Sequence, residues 1–317
     1  MMLRYILGRL AQAVGVLWAV FTVTFVVLYL LPSNPVALLL AAGDVQVEDL
    51  SPEQLAALEA KYGLDEPVYV QYFDQLWQLV RLDFGNSISK NVPVSQLLVP
   101  RLGSTLALGM TAILLTVVVG VAVAYLAAYV QWRPARVLLR RLPAVGVSFP
   151  PFFIGLLLIQ VFAFSLGWLP ATGSDGWQTL ILPAITMAIP TSAMLAQVLT
   201  RSLDDSLAEP YITTARAKGL SRHVVQARHA LRNAALPALT LLGMLLGATV
   251  AEAVVVETVF TRDGLGRLAQ EAVLAQDVHV VQAVVLVVAA AFVAINLVVD
   301  LIYPLIDPRV THAHRTH

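Results

Sequence analysis

From Leu102 to Trp132 the chain carries no Asp, Glu, Lys or Arg, and the centre of that stretch reads Leu114-Leu115-Thr116-Val117-Val118-Val119-Gly120-Val121-Ala122-Val123-Ala124-Tyr125. A helix of about 20 mostly apolar residues crosses roughly 30 Å of hydrocarbon, so this stretch can span a bilayer by itself. Five further runs are equally free of charge: 10–43, 142–174, 176–200, 233–251 and 278–299. Pro32 and Pro35 break the first, and Pro143, Pro150, Pro151 and Pro170 trim the run from 142. The spans are therefore expected near 10–31, 102–130, 144–167, 178–200, 236–260 and 280–304, which makes the chain an all-α membrane protein with six transmembrane helices. Buried helices of a large soluble protein would need a polar shell that the remaining residues cannot supply.

Composition agrees with this reading. The 317 residues are 58% hydrophobic and 13% charged, whereas a soluble domain carries roughly 25% charge. Twenty basic and twenty acidic side chains cancel, which leaves no broad positive face for nucleic acid. With no cysteine, disulfides, zinc ribbons, iron–sulfur clusters and thiol catalysis are excluded. The apolar run after Arg4 and Arg9 is too long for a signal-peptide core and precedes five more spans, so it reads as an uncleaved first helix.

The basic residues orient the chain. Arg4, Arg9, Arg133, Arg136, Arg140, Arg141, Arg201, Arg216, Lys218, Arg222, Arg228, Arg232, Arg309 and Arg315 fall on one side of the six spans, against Lys61, Arg81, Lys90, Arg101, Arg262 and Arg267 on the other. Short loops rich in Lys and Arg stay cytoplasmic, so both termini are expected inside. The expected division is 1–31 (amino terminus and first span), 32–101 (an outer helical insertion), 102–304 (a five-span core with an inner loop at 201–235) and 305–317 (a cytoplasmic tail). In the outer segment, Ser51-Pro52-Glu53-Gln54 predicts a helix start and Gly63 its stop. Pro67 predicts a second helix with an apolar stripe of Val68, Tyr72, Leu76, Leu79 and Val80. That stripe could pack as a lid on the other helices or dock an external partner.

The inner loop holds Glu209-Pro210-Tyr211-Ile212-Thr213-Thr214-Ala215-Arg216-Ala217-Lys218-Gly219-Leu220-Ser221. Glu209 with Pro210 predicts a helix start, Gly219 a left-handed stop, and Ser221 the cap of a second helix. Pro237 is expected to open the next span. The result is a sharp elbow of small and basic residues, a shape that a partner's groove can hold.

Here the sequence resembles the cytoplasmic coupling loop of ATP-binding-cassette importer permeases, whose pattern is Glu-Ala-Ala, three residues, then Gly. Gly219 matches the glycine and sets Thr213-Thr214-Ala215 at the triplet, where only the third residue agrees. The departures, with Ala-Arg-Ala-Lys-Gly-Leu at 215–220 and Arg-His-Ala-Leu-Arg-Asn-Ala at 228–234, are similar to the dipeptide and oligopeptide branch. Leu31-Pro32-Ser33-Asn34-Pro35, Tyr62-Gly63-Leu64-Asp65-Glu66-Pro67, Asp83-Phe84-Gly85-Asn86-Ser87, Leu166-Gly167-Trp168-Leu169-Pro170, Glu257-Thr258-Val259-Phe260 and Asp307-Pro308-Arg309 extend the likeness over nearly the whole chain.

The resemblance implies a type I ABC importer permease fold and a translocation subunit for di- or oligopeptides. Nickel chelates, glutathione or another small solute are the alternatives within the same class. It implies a second homologous permease, two ABC ATPase subunits that bind ATP and Mg, an extracytoplasmic substrate-binding protein, surrounding membrane lipid, and a bacterial or archaeal inner membrane. The residues expected to meet the ATPases are Glu209, Tyr211, Thr213, Thr214, Ala215, Ala217, Lys218, Gly219 and Leu220.

The chain has no Gly-x-x-x-x-Gly-Lys-Ser/Thr phosphate loop, His-Glu-x-x-His or Gly-x-Ser-x-Gly. It is accordingly expected to be non-catalytic, with no cofactor or metal of its own. Gly264-Leu265-Gly266-Arg267-Leu268-Ala269 fits a dinucleotide fingerprint but follows no predicted strand. His312, His314 and His317 crowd the tail and read as solvated disorder. Glu252, Glu257 and Asp300 lie near membrane depth, where ionisable groups tend to serve a pathway or an interface. A structural hydrogen bond is equally open for Glu252. Glu252 and Glu257 stand about 140° apart around a helix and need not share a partner. Gly243 and Gly247 are expected to permit close packing inside the subunit. An ATP-independent secondary transporter, or a membrane scaffold, would fit the spans and buried acids alone.

Overall fold

The computed structural model describes residues 2–30 and 66–306, with side chains described for 7–28 and 66–299. The helix expected from Ser51, the tail histidines and the side chain of Asp300 lie outside these. The described residues are helical, and the two-residue bridge Asn86–Pro93 is their only β pairing. Among the described residues five helices are long and apolar enough to cross a membrane, and a bent pair brings the number to six.

The chain forms two compact units, one drawn from Met1–Ser104 and Asp263–Val293, the other from Thr105–Arg262 and Ala294–His317. In the first, α1 (Met2–Leu30) is a single apolar helix. Pro67 fixes the start of α2 (Val68–Val80), where it precedes the first helical residue at φ −55. Of the expected stripe on α2, Tyr72, Leu76 and Leu79 turn inward, whereas Val68 and Val80 are exposed, so the stripe is narrower than the sequence suggests. The Tyr72 ring meets Phe21 at a tilt and Phe25 edge-on, with centroids 5.3 Å away in each case, and its hydroxyl shares a 2.8 Å hydrogen bond with Thr22, which supports the lid reading for this helix.

The rest of this unit closes around Asp277. Val94 and Leu98 of α3 (Val94–Tyr129), Leu265, Leu268 and Ala272 of α10 (Leu265–Leu274), and Val280, Ala283 and Val284 of α11 (Val278–Ile306) form one apolar cluster. Asp277 caps α11: its Oδ1 accepts from Val280 N at 3.3 Å, and its backbone oxygen accepts from Val281 N. Its Oδ2 accepts from Ser87 Oγ at 2.6 Å, Ser89 N at 3.0 Å and Ser89 Oγ at 2.9 Å. The side chain is 1% exposed.

In the second unit, α6 (Gln178–Ala208) is the central helix. It packs on α4 (Arg133–Ser148), on α5 (Pro151–Leu158, continued by a π-helical turn Ile159–Ser165) and on α9 (Leu231–Val259). Small residues permit these contacts: a Cβ on Gly146 would lie 2.8 Å from Ala193 Cβ, and one on Gly120 would lie 2.9 Å from Leu195. Gly243 faces Val299 of the same chain and Gly247 is buried, as expected for packing inside the subunit.

Two boundaries differ from the sequence expectation. The span at 144–167 is a pair of helices, α4 and α5, bent by 103° where Pro150 and Pro151 interrupt the hydrogen-bond ladder. Pro237 does not open a helix. It lies inside α9, which continues a helical run from α8 (Arg222–Val224) through the π-helical turn Val225–Ala230.

Hydrogen bonds from Ser87, Ser89 and Ile88 outweigh the upward push of burial on Asp277 and hold its carboxyl below the usual value. That stabilisation is complete above the unfolded pKa, near pH 4, and is lost as pH falls through the lower folded value. Asp277→Ala is expected to cost about 2–3 kcal/mol at neutral pH. Thermal unfolding of the purified protein in detergent should show the loss shrinking toward acid pH, and a pH-independent loss would refute this account.

Candidate functional site: the inner elbow

The elbow begins where α6 ends. Glu209 takes extended geometry (φ −67, ψ 146), Pro210 occupies the first helical position, and α7 (Pro210–Ala217) follows. Ile212 and Ala215, three residues apart, are 1% and 7% exposed and enter an apolar cluster with Leu195, Leu199, Leu203, Val225, Ala230 and Ala234. The other face points outward: Glu209, Tyr211, Thr213, Thr214, Ala217, Lys218, Gly219 and Leu220 are all exposed. Ala215, expected with them, is instead part of the anchor. Tyr211 Oη accepts from Asn233 Nδ2 at 2.9 Å, which ties the outer face back to α9.

Gly219 has φ +79, with its N–H donating to Arg216 O at 2.9 Å. No atom lies within 4 Å of where its Cβ would be, so glycine is required here for conformation and not for space. Ser221 Oγ then accepts from Val224 N at 3.4 Å and caps the next helical run.

That run is clasped to the end of α3. The last carbonyls of a helix lack intrahelical donors, and here the donors are side chains. Arg222 Nη2 reaches Ala128 O at 3.1 Å and Arg136 Nε reaches Val130 O at 2.8 Å, while Gln226 Nε2 adds a side-chain donor to Tyr125 O, one turn before the end, at 2.7 Å. Arg222 also lies over the Tyr129 ring at 5.2 Å, and Tyr125 Oη pairs with His223 Nδ1 at 2.8 Å. Cationic groups at a helix C-terminus also oppose the negative end of its dipole. Gln226 is 1% exposed and lies within the π-helical turn Val225–Ala230. Nothing in its sequence neighbourhood marks it out, because a π turn has no pattern legible in a single chain.

The acids near membrane depth separate. Glu257 is fully buried; its Oε1 accepts from Thr105 Oγ1 at 2.6 Å, and its backbone oxygen accepts from Arg262 N at 2.8 Å. Glu252 Oε1 is buried on the same helix without a hydrogen-bond partner. By sequence Arg262 belongs with the outer surface cations, yet it is 3% exposed, with Nη1 donating to Thr179 Oγ1 at 3.2 Å. Burial pushes its guanidinium down and the nearby Glu257 pulls it back up. Among the described residues no three His, Asp or Glu side chains are grouped to hold a metal. The glycine fingerprint at 264–269 begins α10, and its Leu265, Gly266 and Leu268 are buried.

Residues 120–312 match the family model of the binding-protein-dependent transport system inner membrane component, and residues 2–109 match the amino-terminal model for the membrane component of such systems. The chain belongs to this family. It is an ABC importer permease subunit, a multi-pass inner-membrane protein with the type I permease fold. The glutathione transport system permease protein GsiC of Salmonella choleraesuis (strain SC-B67) is 39% identical over 315 residues, covering 98% of this chain and all of that one. GsiC of Escherichia coli (strain K12) is 38% identical over 312 residues with the same coverage. A solved amino acid ABC transporter, crystallised with histidines, aligns with TM-score 0.52 and 20% identity over 68% of this chain and 94% of that one, which shows the shared fold.

For this permease, Gln226→Glu is expected to lower stability by about 2–3 kcal/mol, because it sets a buried carboxylate against the Tyr125 carbonyl. Melting of the variant indistinguishable from wild type would show that the clasp does not hold α3.

Proposed function

We propose that this permease, paired with a second homologous one, carries short peptides inward across the membrane, with the tripeptide glutathione as the first solute to test. The full-length likeness to glutathione permeases supports that choice. An extracytoplasmic binding protein delivers the solute on the side away from the elbow, and both termini are cytoplasmic, a reading that the distribution of arginines supports. Two ATPase subunits, which hold ATP and Mg, grip the outer faces of the elbows. This chain itself performs no chemistry.

The observation that carries this reading is the two-sidedness of α7. Ile212 and Ala215 fix it to its own subunit, while Tyr211, Thr213, Thr214, Ala217, Lys218 and Leu220 are exposed to a partner's groove. Closure of the ATPases on ATP would tilt the elbow and favour the outward-open state, and hydrolysis would return it. A ligand shifts such an equilibrium only by binding the two states unequally.

Gly219→Pro should abolish uptake, because proline cannot adopt φ +79. The assay is labelled glutathione and labelled dipeptide uptake into vesicles holding the complete transporter, with membrane insertion checked alongside. Wild-type uptake should survive collapse of the proton gradient and stop without ATP. Normal uptake by the variant would refute the coupling role, and uptake of neither solute by wild type would refute the substrate class.

Of the three acids, Glu252 is assigned to the pathway, since its Oε1 is buried without a partner. Glu257, bound to Thr105, is assigned to structure, and Asp300 remains a pathway candidate by depth. Glu252→Gln is expected to change uptake while the ATPases still assemble; unchanged uptake for every solute and pH would make it structural.

A further inference from the structure

Helix α4 carries Arg133, Arg136, Arg140 and Arg141 and no acidic residue. Two of the four are engaged by the protein: Arg136 on Val130 O, and Arg140 on Asp204 Oδ1 at 2.8 Å. Arg133 and Arg141 are exposed and have no protein partner among the described residues. With Val137 between them at four-residue intervals, they form one row along the helix. Together with Pro134 and Leu138 they line a shallow depression. From Leu138 an apolar strip continues through Leu142 and Val145, which are 65%, 49% and 56% exposed, and Trp132 stands at the head of the helix at 70%.

The height of this face follows from its neighbours. The Arg140–Asp204 pair is itself partly exposed, and α6 beyond Thr200 carries Arg201, Asp204 and Asp205, so both helices have left the hydrocarbon at this level. Six residues beyond Arg140, Gly146 lies against Ala193 of α6, so α4 enters the hydrocarbon beside α6 and its arginine-bearing first half lies at the headgroup level. An amphipathic helix so placed buries its apolar strip at the acyl boundary and holds its arginines among the headgroups. Trp is enriched at that depth. A soluble anion would leave the strip in water, and a neutral lipid would leave two guanidiniums without a counter-charge.

We propose that Arg133 and Arg141 form a headgroup site for an anionic phospholipid, with Leu138, Leu142 and Val145 receiving its acyl chain. The two cations lie about 12 Å apart along the helix axis, from a rise of 1.5 Å per residue, a spacing open to two phosphates. The site rests on the inner-membrane assignment and is independent of the solute carried.

The test uses the complete transporter in nanodiscs of mixed phosphatidylcholine and phosphatidylglycerol, with retained lipid identified by mass spectrometry. Wild type should retain phosphatidylglycerol selectively. Arg133→Gln with Arg141→Gln should lower that selectivity roughly tenfold or more, since each interfacial cation contributes about fivefold, while assembly and ATP hydrolysis persist. Leu138→Asn, with both arginines intact, should also weaken retention. Equal selectivity in wild type and the double variant would overturn the site. So would displacement of the lipid by free glycerol phosphate at equal concentration, which would mark a soluble-anion site. Cross-linking from position 138 to the second permease in place of lipid would overturn it as well.

Discussion

Hydrocarbon offers no hydrogen bonds, so each backbone N–H and C=O at membrane depth must be satisfied within the chain. This constraint makes the described protein helical and decides where its helices can stop. A helix end needs donors or acceptors from elsewhere, and the structure supplies them from particular side chains. Asp277 does this for the start of α11, and Arg222 and Arg136 do it for the end of α3, with Gln226 bound one turn earlier. In both places the helix end is also a junction with a distant segment. Ser87 and Ser89 meet Asp277 across 190 and 188 positions of sequence, and Gln226 meets Tyr125 across 101.

The same constraint sorts the buried charges. Glu257 is tolerable because Thr105 donates to it and Arg262 stands nearby. A polar group buried without a partner costs about 1–3 kcal/mol, and more when charged, so an arrangement such as that of Glu252 has to be offset by the packing around it. That asymmetry, between two acids on one helix, separates a structural group from a pathway candidate better than membrane depth alone.

The spans were legible because a water-exposed fold seldom leaves runs of this length without a single charge: α6 and α11 contain the stretches expected of them, and α1 and α3 cover theirs up to Leu30 and Tyr129. The elbow's ends were legible too: Pro210, Gly219 and Ser221 each have a backbone preference strong enough to act locally. What escaped was set by tertiary contact. The bend between α4 and α5 occupies a charge-free run that hydropathy joins into one span, and Pro237 is an exposed residue inside a helical run that already begins at Arg222. Arg262 and Gln226 look like surface residues in sequence, and only the folded chain shows them buried. Asp277 could have been found, since an aspartate directly before a long apolar run is an N-cap signal.

The elbow joins these threads. Its outer face is built of small and polar groups that make no demand on the chain's own core, while its inner face shares one cluster with α3, α6 and α9. The clasp adds hydrogen bonds from the same run to the carbonyls of α3. A displacement of α7 cannot therefore be absorbed locally: moving Ile212 and Ala215 opens a cavity against Leu199 and Leu203, and moving Arg222 and Gln226 strips the end of α3. Close-packed interiors resist both. Under the coupling proposal, the ATPases thus act on three helices at once through a helix of eight residues, and the choice of solute is left to residues elsewhere in the chain and to the binding protein.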